Sequence, residues 1–473
     1  MTKHEADTPG HSPGFEIAII GGGITGVTLA LALDRRRIRC TIYEQAAQFR
    51  ELGAGLGFGS NALRAMRVCD ERVLAAYRRV GRHVSGPPSS TTSTGTESKV
   101  GAPAGPVWIE FLDGTSPVAA RELAPAFTIH APADGHGAVH RARYLDELVR
   151  LLPAGAVRFG KRLHEITQPA GDGKLTMVFS DGTTARADAV VGCDGIKSRT
   201  REIVAAGLKN GEEVDARCGY SGKFAYRCLI PMDRVVEDLG EARAREPSLW
   251  MGPDRHVLTF PIGPSGPGQL LNLVAFVDSG SRSWPSETSL TLPATREDVV
   301  RDFRGFGPNV QRLLGMMQAT PDRWGLFDLV DRPLARFNHG RILVIGDAAH
   351  ASTPHHGSGA GFCTEDVAVL ASLLEHLSGG AASLEAAFAA LDASRRERCQ
   401  WLVASSRRSA DVMEWREPGF TRGPPDFDAI RRDMETRQSI CWDVDMKAMV
   451  RAAKEDLQRR INQLQASSEL GPQ

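Results

Sequence analysis

The chain has 473 residues, with 57 Lys plus Arg against 57 Asp plus Glu, 42% hydrophobic and 24% charged residues, which excludes a disordered or fibrous protein. A formal net charge of zero and the lack of a local basic tract exclude the electrostatic footprint of a non-specific nucleic-acid binder and favour small or neutral partners. At roughly 150 residues per domain the length accommodates about three structural units.

Met1 to Gly14 is polar, and no 18-residue apolar run occurs anywhere, so a cytoplasmic protein without a membrane span is expected. From Phe15 the run FEIAII reads as a short apolar strand, followed by Gly21, Gly22, Gly23 and Gly26 and then by a helical pattern through Ala32 and Leu33. A second strand, CTIYE, ends at Glu44 and completes a βαβ unit. Gly21-x-Gly23-x-x-Gly26 in this context satisfies the dinucleotide fingerprint: absent side chains let backbone approach a pyrophosphate, and the helix N-terminus supplies partial positive charge. Glu44, eighteen residues beyond Gly26, is placed to accept hydrogen bonds from both ribose hydroxyls.

Residues 85–105, SGPPSSTTSTGTESKVGAPAG, are of low complexity and read as a solvated loop. LTMVFSDGTTARADAVVGCDG holds two β-rich runs around Asp181-Gly182, a hairpin signal, and ends in a turn with Asp194 before Gly195. Between Arg217 and Phe327 strands such as KFAYRCLI, HVLTFPI and LLNLVAFV alternate with turns, helical periodicity being confined mainly to Glu297–Gln318. A mostly antiparallel second domain follows. RILVIGDAAH then returns to a buried strand ending in Gly346-Asp347, where a carboxylate can meet the polyol chain of a flavin; nicotinamide cofactors have no ribityl chain. Pro354 and HHGSGAG lead into a helix from Gly359 to about Leu377. Its N-terminus, worth roughly half a positive charge, suits the anionic edge of a reduced flavin; Gly357 and Gly359 allow close backbone approach, and Ala360 is a further cofactor-binding candidate. Ser405-Ser406-Arg407-Arg408 reads as part of a solvated helix, and Trp401, Trp415 and Trp442 as packing anchors. The eight cysteines (Cys40, Cys69, Cys193, Cys218, Cys228, Cys363, Cys399, Cys441) form no CxxC pair and no zinc-spaced cluster with histidine, so free thiols in a reducing compartment and no metal are expected.

GGGITG, CDGIKSRTR and GDAAHASTP, in this order, resemble the aromatic-hydroxylase class of FAD-dependent monooxygenases, the salicylate and para-hydroxybenzoate hydroxylase type, over roughly residues 15–405. RELGAGLGFGSNALRAM and HRARYLDEL are similar to the salicylate hydroxylase branch. KFAYRCLI, PHHGSGAG and SSRRSADV resemble fungal enzymes that hydroxylate and dearomatise polyketide-derived phenols on the way to tropolones, azaphilones and sorbicillinoids.

The resemblance implies an α/β fold: a discontinuous Rossmann-like FAD-binding domain (14–80, 130–216 and 320–408), a mostly antiparallel β-sheet substrate domain (108–129 and 217–319), a flexible loop (81–107) and a C-terminal helical region (409–473). It implies FAD reduced by NADPH or NADH, and O2 added at the flavin C4a carbon as a hydroperoxide whose distal oxygen goes to a phenolic ring. A monomer or homodimer is expected. Arg227 matches the arginine of the class's KFAFRG-like segment and would hold the phenolate, with Lys223, of the same strand parity, as its rival. Phe260 stands where some dearomatising relatives place an assisting Tyr. Arg50 would contact the cofactor or admit reductant, Gly55 beyond it would contact the cofactor, and Arg141 would face the FAD ribose and pyrophosphate. His355 and His356, after Pro354, would hydrogen-bond substrate or tune protonation of the hydroperoxide, and His350 is expected to be structural. In a salicylate-type decarboxylating hydroxylase, the alternative, Arg227 would bind a carboxylate. An NAD(P)-dependent dehydrogenase leaves Asp347 and Pro354–Gly361 without a role, a non-catalytic scaffold would not keep its glycine motifs, and a flavin halogenase would need a GWxWxIP pattern absent here.

Overall fold

The computed structural model describes residues 14–49, 55–84, 105–169, 173–209, 214–263, 266–281, 283–377, 379–417 and 425–469. The apolar run after Phe15 is the strand Glu16–Ile20, which pairs in parallel with Arg39–Tyr43 on one side and Ala189–Gly192 on the other. Ile342–Val344 and Val157–Arg158 extend the parallel array, and Asn338–His339 closes one edge in antiparallel fashion. Ile17, Ile19, Val190, Val191, Leu343 and Val344 are fully or almost fully buried, as expected of parallel strands covered on both faces. The helix Ile24–Arg35 buries every residue from Gly26 to Leu33. Parallel pairing brings the carboxyl ends of three strands to one edge, where the Gly21, Asp194 and Gly346-Asp347 turns meet; this edge is where open α/β sheets bind ligands.

The second body is an eight-stranded sheet in the order Thr291–Pro293, Asp322–Asp328, Gly219–Pro231, Leu270–Asp278, Arg255–Ile262, Ser248–Gly252, Val107–Asp113, Phe127–His130. Its pairs are antiparallel except Ser248–Gly252 beside Val107–Asp113. Strand periodicity of two divides it sharply. Tyr226, Cys228, Ile230, Val257, Leu273 and Ala275 form a core with helices Met232–Leu239, Arg296–Asp302 and Pro308–Gly315. The opposite face carries the cross-strand rows Arg227–Val274–Leu258 and Leu229–Asn272–Phe260. Helices Met232–Leu239 and Glu241–Arg245 lie in a region expected to be almost all strand.

The helix Gly359–Leu374 packs on both Ile24–Arg35 and Ser60–Cys69. Buried ion pairs tie it to the helix Ala381–Met413, where Arg395 lies 2.5 Å from Glu365 and 2.8 Å from Asp366, and to the short helix Asp347–His350, where His350 Nε2 meets Asp366 Oδ2 at 2.6 Å. Helices Phe427–Trp442 and Met446–Glu469 complete the C-terminal part. Two expectations need correction. Arg82–Val84, assigned to a loop, is a strand paired with His136–His140, while 85–104 lies outside the described residues. Ser405 and Ser406 are buried, not solvated, because their helix face packs on the Thr353–His356 turn. All eight cysteines are free thiols.

Candidate active site

The carboxyl edge of the parallel sheet and the second face of the eight-stranded sheet enclose a cavity of about 1010 Å³. The glycine turn forms its floor. Gly21 has φ +105°, and a Cβ on it would stand 2.5 Å from the Cys193 carbonyl oxygen; one on Gly26 would stand 2.0 Å from the Gly21 oxygen. Strand and helix thus approach to a distance only glycine permits. A Cβ on Gly23 would meet nothing within 4 Å: bare backbone faces open space at a helix N-terminus, the geometry of an anion cradle.

Around this floor stand the acidic residues. Glu44 braces the turn, its Oε2 accepting from the Gly22 N–H at 2.6 Å and its Oε1 from the Ala46 N–H at 2.8 Å. The Asp194 carboxylate turns toward the helix Arg199–Leu208, accepting from Ser198 Oγ at 2.5 Å and from the Thr200 N–H and Oγ1 at 3.0 Å, so Asp194 meets the cavity edge while its charge is engaged locally. Asp347, exposed at the start of the helix Asp347–His350, has no hydrogen-bond or ion-pair partner among the described residues and lines the cavity. Gly357 (φ +62°), Gly359 and Ala360 line it at the N-terminus of Gly359–Leu374, with Pro354 in the preceding 3-10 turn.

The opposite wall is largely apolar, with Arg227 as its cation. Arg227 lines the cavity in register with Val274, its guanidinium carbon 5.5 Å from the Trp324 ring centre. Its buried Nε has no hydrogen-bond partner and no carboxylate pairs with it among the described residues. Burial, with Arg141 across the same cavity adding like charge, pushes its pKa below the usual value. The Phe260 ring packs so close to Gly55 that a Cβ there would stand 2.8 Å from it. His355 is buried between His256 and Phe276, ring centres 5.3 and 4.9 Å away, with neither ring nitrogen hydrogen-bonded. Burial, then the neighbouring His256, Lys223 and His356 charges, hold its pKa well below the usual histidine range. His356 Nε2 meets Ser405 Oγ at 2.8 Å and Ser409 Oγ at 3.2 Å, and its pKa is pushed down to about 3, chiefly by burial.

The structure therefore brings together Gly21, Gly23, Glu44, Gly55, Arg141, Asp194, Arg227, Phe260, Asp347, Pro354, His355, His356, Gly357, Gly359 and Ala360 around one cavity. Gly26 acts from behind the floor. Arg50 lies outside the described residues. Lys223 is a correction: despite sharing Arg227's parity it does not line the cavity, because its side chain is 2% exposed and its ammonium is held by Asp278, Asp411 and Glu414. Other lining residues were missed, Asn272, His256 and Trp442 among them. Asn272, a polar residue amid LLNLVAFV, and His256, at the start of HVLTFPI, carried a signal in breaking apolar runs. Trp442, T-stacked on Trp108 at 5.1 Å, carried none.

A glycine cradle with open space above it, an unpartnered carboxylate at a second strand end and a second helix N-terminus fit the pyrophosphate, ribityl chain and ring edge of a flavin dinucleotide. Comparison with known proteins agrees. A family model described as "FAD binding domain" matches residues 15–218 and 314–406. The FAD-dependent monooxygenase pigN of Monascus ruber is 42% identical over 95% of this chain and 98% of its own. Salicylate hydroxylase asL1 of Sarocladium schorii is 34% identical over 94% and 92%. A solved structure titled "Salicylate hydroxylase substrate complex" superposes with a TM-score of 0.76 at 30% identity, covering 93% of this chain and 98% of that one. The chain belongs to the FAD-binding family of monooxygenases. It is an oxidoreductase with FAD as its cofactor.

Proposed function

We propose that this monooxygenase hydroxylates an electron-rich phenol and dearomatises it. The observation that supports this is Arg227, a cation without an acidic partner among the described residues on a largely apolar wall of the flavin cavity. When bound, FAD supplies the redox chemistry, passing electrons from NADPH or NADH to O2 so that one oxygen atom reaches the substrate and the other leaves as water. Gly21, Gly23 and the Ile24–Arg35 N-terminus would hold its pyrophosphate, Glu44 its ribose, Asp347 its ribityl chain, and Gly357 to Ala360 the ring edge. Arg141 adds positive charge near the phosphates. Residues 14–80, 130–216 and 320–408 serve as the cofactor unit, with 108–129 and 217–319 presenting the substrate.

Arg227 donates to the guest's oxygen. A phenol must lose its proton to become a strong carbon nucleophile, and its unperturbed pKa near 10 has to fall for that at neutral pH. A guanidinium against the oxygen lowers it by about one to three units. Phe260, Leu258 and Val274 fix the ring by contact, and the missing hydroxyl at Phe260 leaves Asn272, its cross-strand neighbour, as the available hydrogen-bonder beside it. The eight free thiols support work in a reducing, cytoplasmic compartment, and no helix among the described residues is long and apolar enough to cross a membrane.

A second reading, decarboxylating hydroxylation with Arg227 on a carboxylate, draws on the likeness to salicylate hydroxylases. Purified enzyme supplied with NADPH or NADH, O2 and either 2,4-dihydroxy-3-methylbenzaldehyde, whose substituted C3 cannot rearomatise once hydroxylated, or salicylate separates the two. The phenol reading expects an optically active product with one added oxygen and all carbons retained. Loss of the carboxyl carbon as CO2 from salicylate, with the aldehyde untouched, would replace it.

A further inference from the structure

Behind His355 runs a chain of polar groups to which oxygen transfer assigns no role. A ring nitrogen of His355, one of His256 and a carboxylate oxygen of Glu414 lie within 4.8 Å of one another, a span one bridging water covers. His256 Nδ1 lies 3.2 Å from Glu414 Oε1. The other Glu414 oxygen meets Lys223 Nζ, and that ammonium stands 2.9 Å from both Asp278 Oδ2 and Asp411 Oδ1. Burial falls along the way: the His256 and Glu414 side chains are 1% and 0% exposed, that of Asp411 36%. The remaining charged or titratable groups against the chain are Arg416, which pairs with Asp278 at 3.3 Å and with Asp254, and the neutral His356 beside His355.

The same three ligand atoms have the spacing for a cation, but the Lys223 ammonium against Glu414 opposes a second positive charge there. A purely structural ion pair would explain Lys223 and Glu414, although buried pairs are weak stabilisers; it would not explain a histidine at each end of the link, the outer one unpartnered at the cavity wall.

We propose that His355, His256, Glu414 and Lys223 form a proton exit from the cavity to Asp411 at the surface, used when the guest phenol ionises. The inference rests on the reading of a phenolic guest. The phenol O–H bond breaks and its proton joins a His355 ring nitrogen; the other nitrogen releases one through water to His256. His256 Nδ1–H passes a proton to Glu414, Glu414 to Lys223 as Lys223 gives one to Asp411, and Asp411 to solvent. Each group regains its starting charge, no electrons move, and the phenolate remains against Arg227. Burial holds both His256 and His355 below the usual histidine pKa, so each is neutral near pH 7 and carries the extra proton only in transit. Of these residues only His355 and His256 line the cavity; Glu414 and Lys223 act through them as positioning residues.

The test mixes FAD-loaded enzyme with 2,4-dihydroxybenzaldehyde in weak buffer containing a pH indicator. Flavin absorbance times the guest's arrival, and the indicator times proton release. His256→Phe keeps the ring stacked on Phe276, now 4.4 Å away, and Glu414→Gln keeps the shape of its site. Both are expected to leave the arrival rate unchanged and to slow proton release roughly tenfold or more. Release at the wild-type rate in both variants, or arrival and release slowed together as a structural role demands, would overturn the proposal. Should no phenol perturb the flavin, the functional reading fails instead, and the exit is then timed from proton uptake during dithionite reduction of the bound FAD. Unslowed uptake in both variants would overturn it there.

Discussion

Replacing Arg227 by Gln separates binding from stability in a way few substitutions do. In the free enzyme the guanidinium is a part-buried cation with an orphaned Nε, no carboxylate partner among the described residues and Arg141 as a like-charged neighbour. Its pKa is depressed, so the folded state disfavours its charge. Removing the charge should leave the unfolding midpoint unchanged or raise it. The bound state reverses the sign. With a phenolate against it the guanidinium gains a charge-assisted contact, and its loss should restore about one to three pKa units to the guest, about 1.4 to 4 kcal/mol. At pH 7 this corresponds to roughly tenfold to thousandfold weaker binding of the ionised form. Titrating 2,4-dihydroxybenzaldehyde into FAD-loaded enzyme across pH, with the phenolate band and the flavin spectrum followed together, measures it. A variant that ionises its guest at the same pH as wild type, or one that unfolds several degrees earlier, would refute the reasoning and move the clamp to Arg141.

Lys223→Met should do the reverse: it strands Glu414 and Asp278 without their ammonium, so a loss of about 3–5 kcal/mol is expected in denaturant unfolding, whereas Arg227→Gln loses none. Gly23→Ala should fold with wild-type stability, since its methyl meets no protein atom, yet retain little FAD after gel filtration; Gly26→Ala, forced to 2.0 Å from a carbonyl, should lose both fold and flavin, and equal behaviour of the two would contradict the cradle. His356 has a folded pKa of about 3, below its unfolded value of roughly 6.5. The unfolded chain therefore binds the extra proton between these limits, and stability present above pH 6.5 is lost as pH falls, at up to about 1.4 kcal/mol per pH unit. His356→Gln should flatten this acid limb by about one proton in urea titrations at pH 4 to 6, and an unchanged slope would show that His356 is not buried neutral.

The glycine turn, the flanking strands and the returning strand before Asp347 were legible because each is local: a short apolar run, absent side chains and a helix start express themselves within a few residues. Arg227's orientation was also accessible, since strand parity places alternate residues on opposite faces. Parity misled for Lys223, which shares that face but meets three carboxylates, two of them nearly two hundred residues away in sequence. Ser405 and Ser406 failed likewise: a polar stretch on a long helix looks solvated until the Thr353–His356 turn packs on it.

The amino-acid sequence by itself determined that this chain has a dinucleotide cradle and two further strand-end turns carrying Asp194 and Asp347, because hydrogen bonding and steric limits act between near neighbours. Only the tertiary structure decided which charges face the cavity and which are neutralised. Pairing of Lys223 with Glu414, closure by Trp442 and isolation of Arg227 depend on side chains brought together from distant segments, and electrostatic and packing energies follow separation in space rather than along the chain.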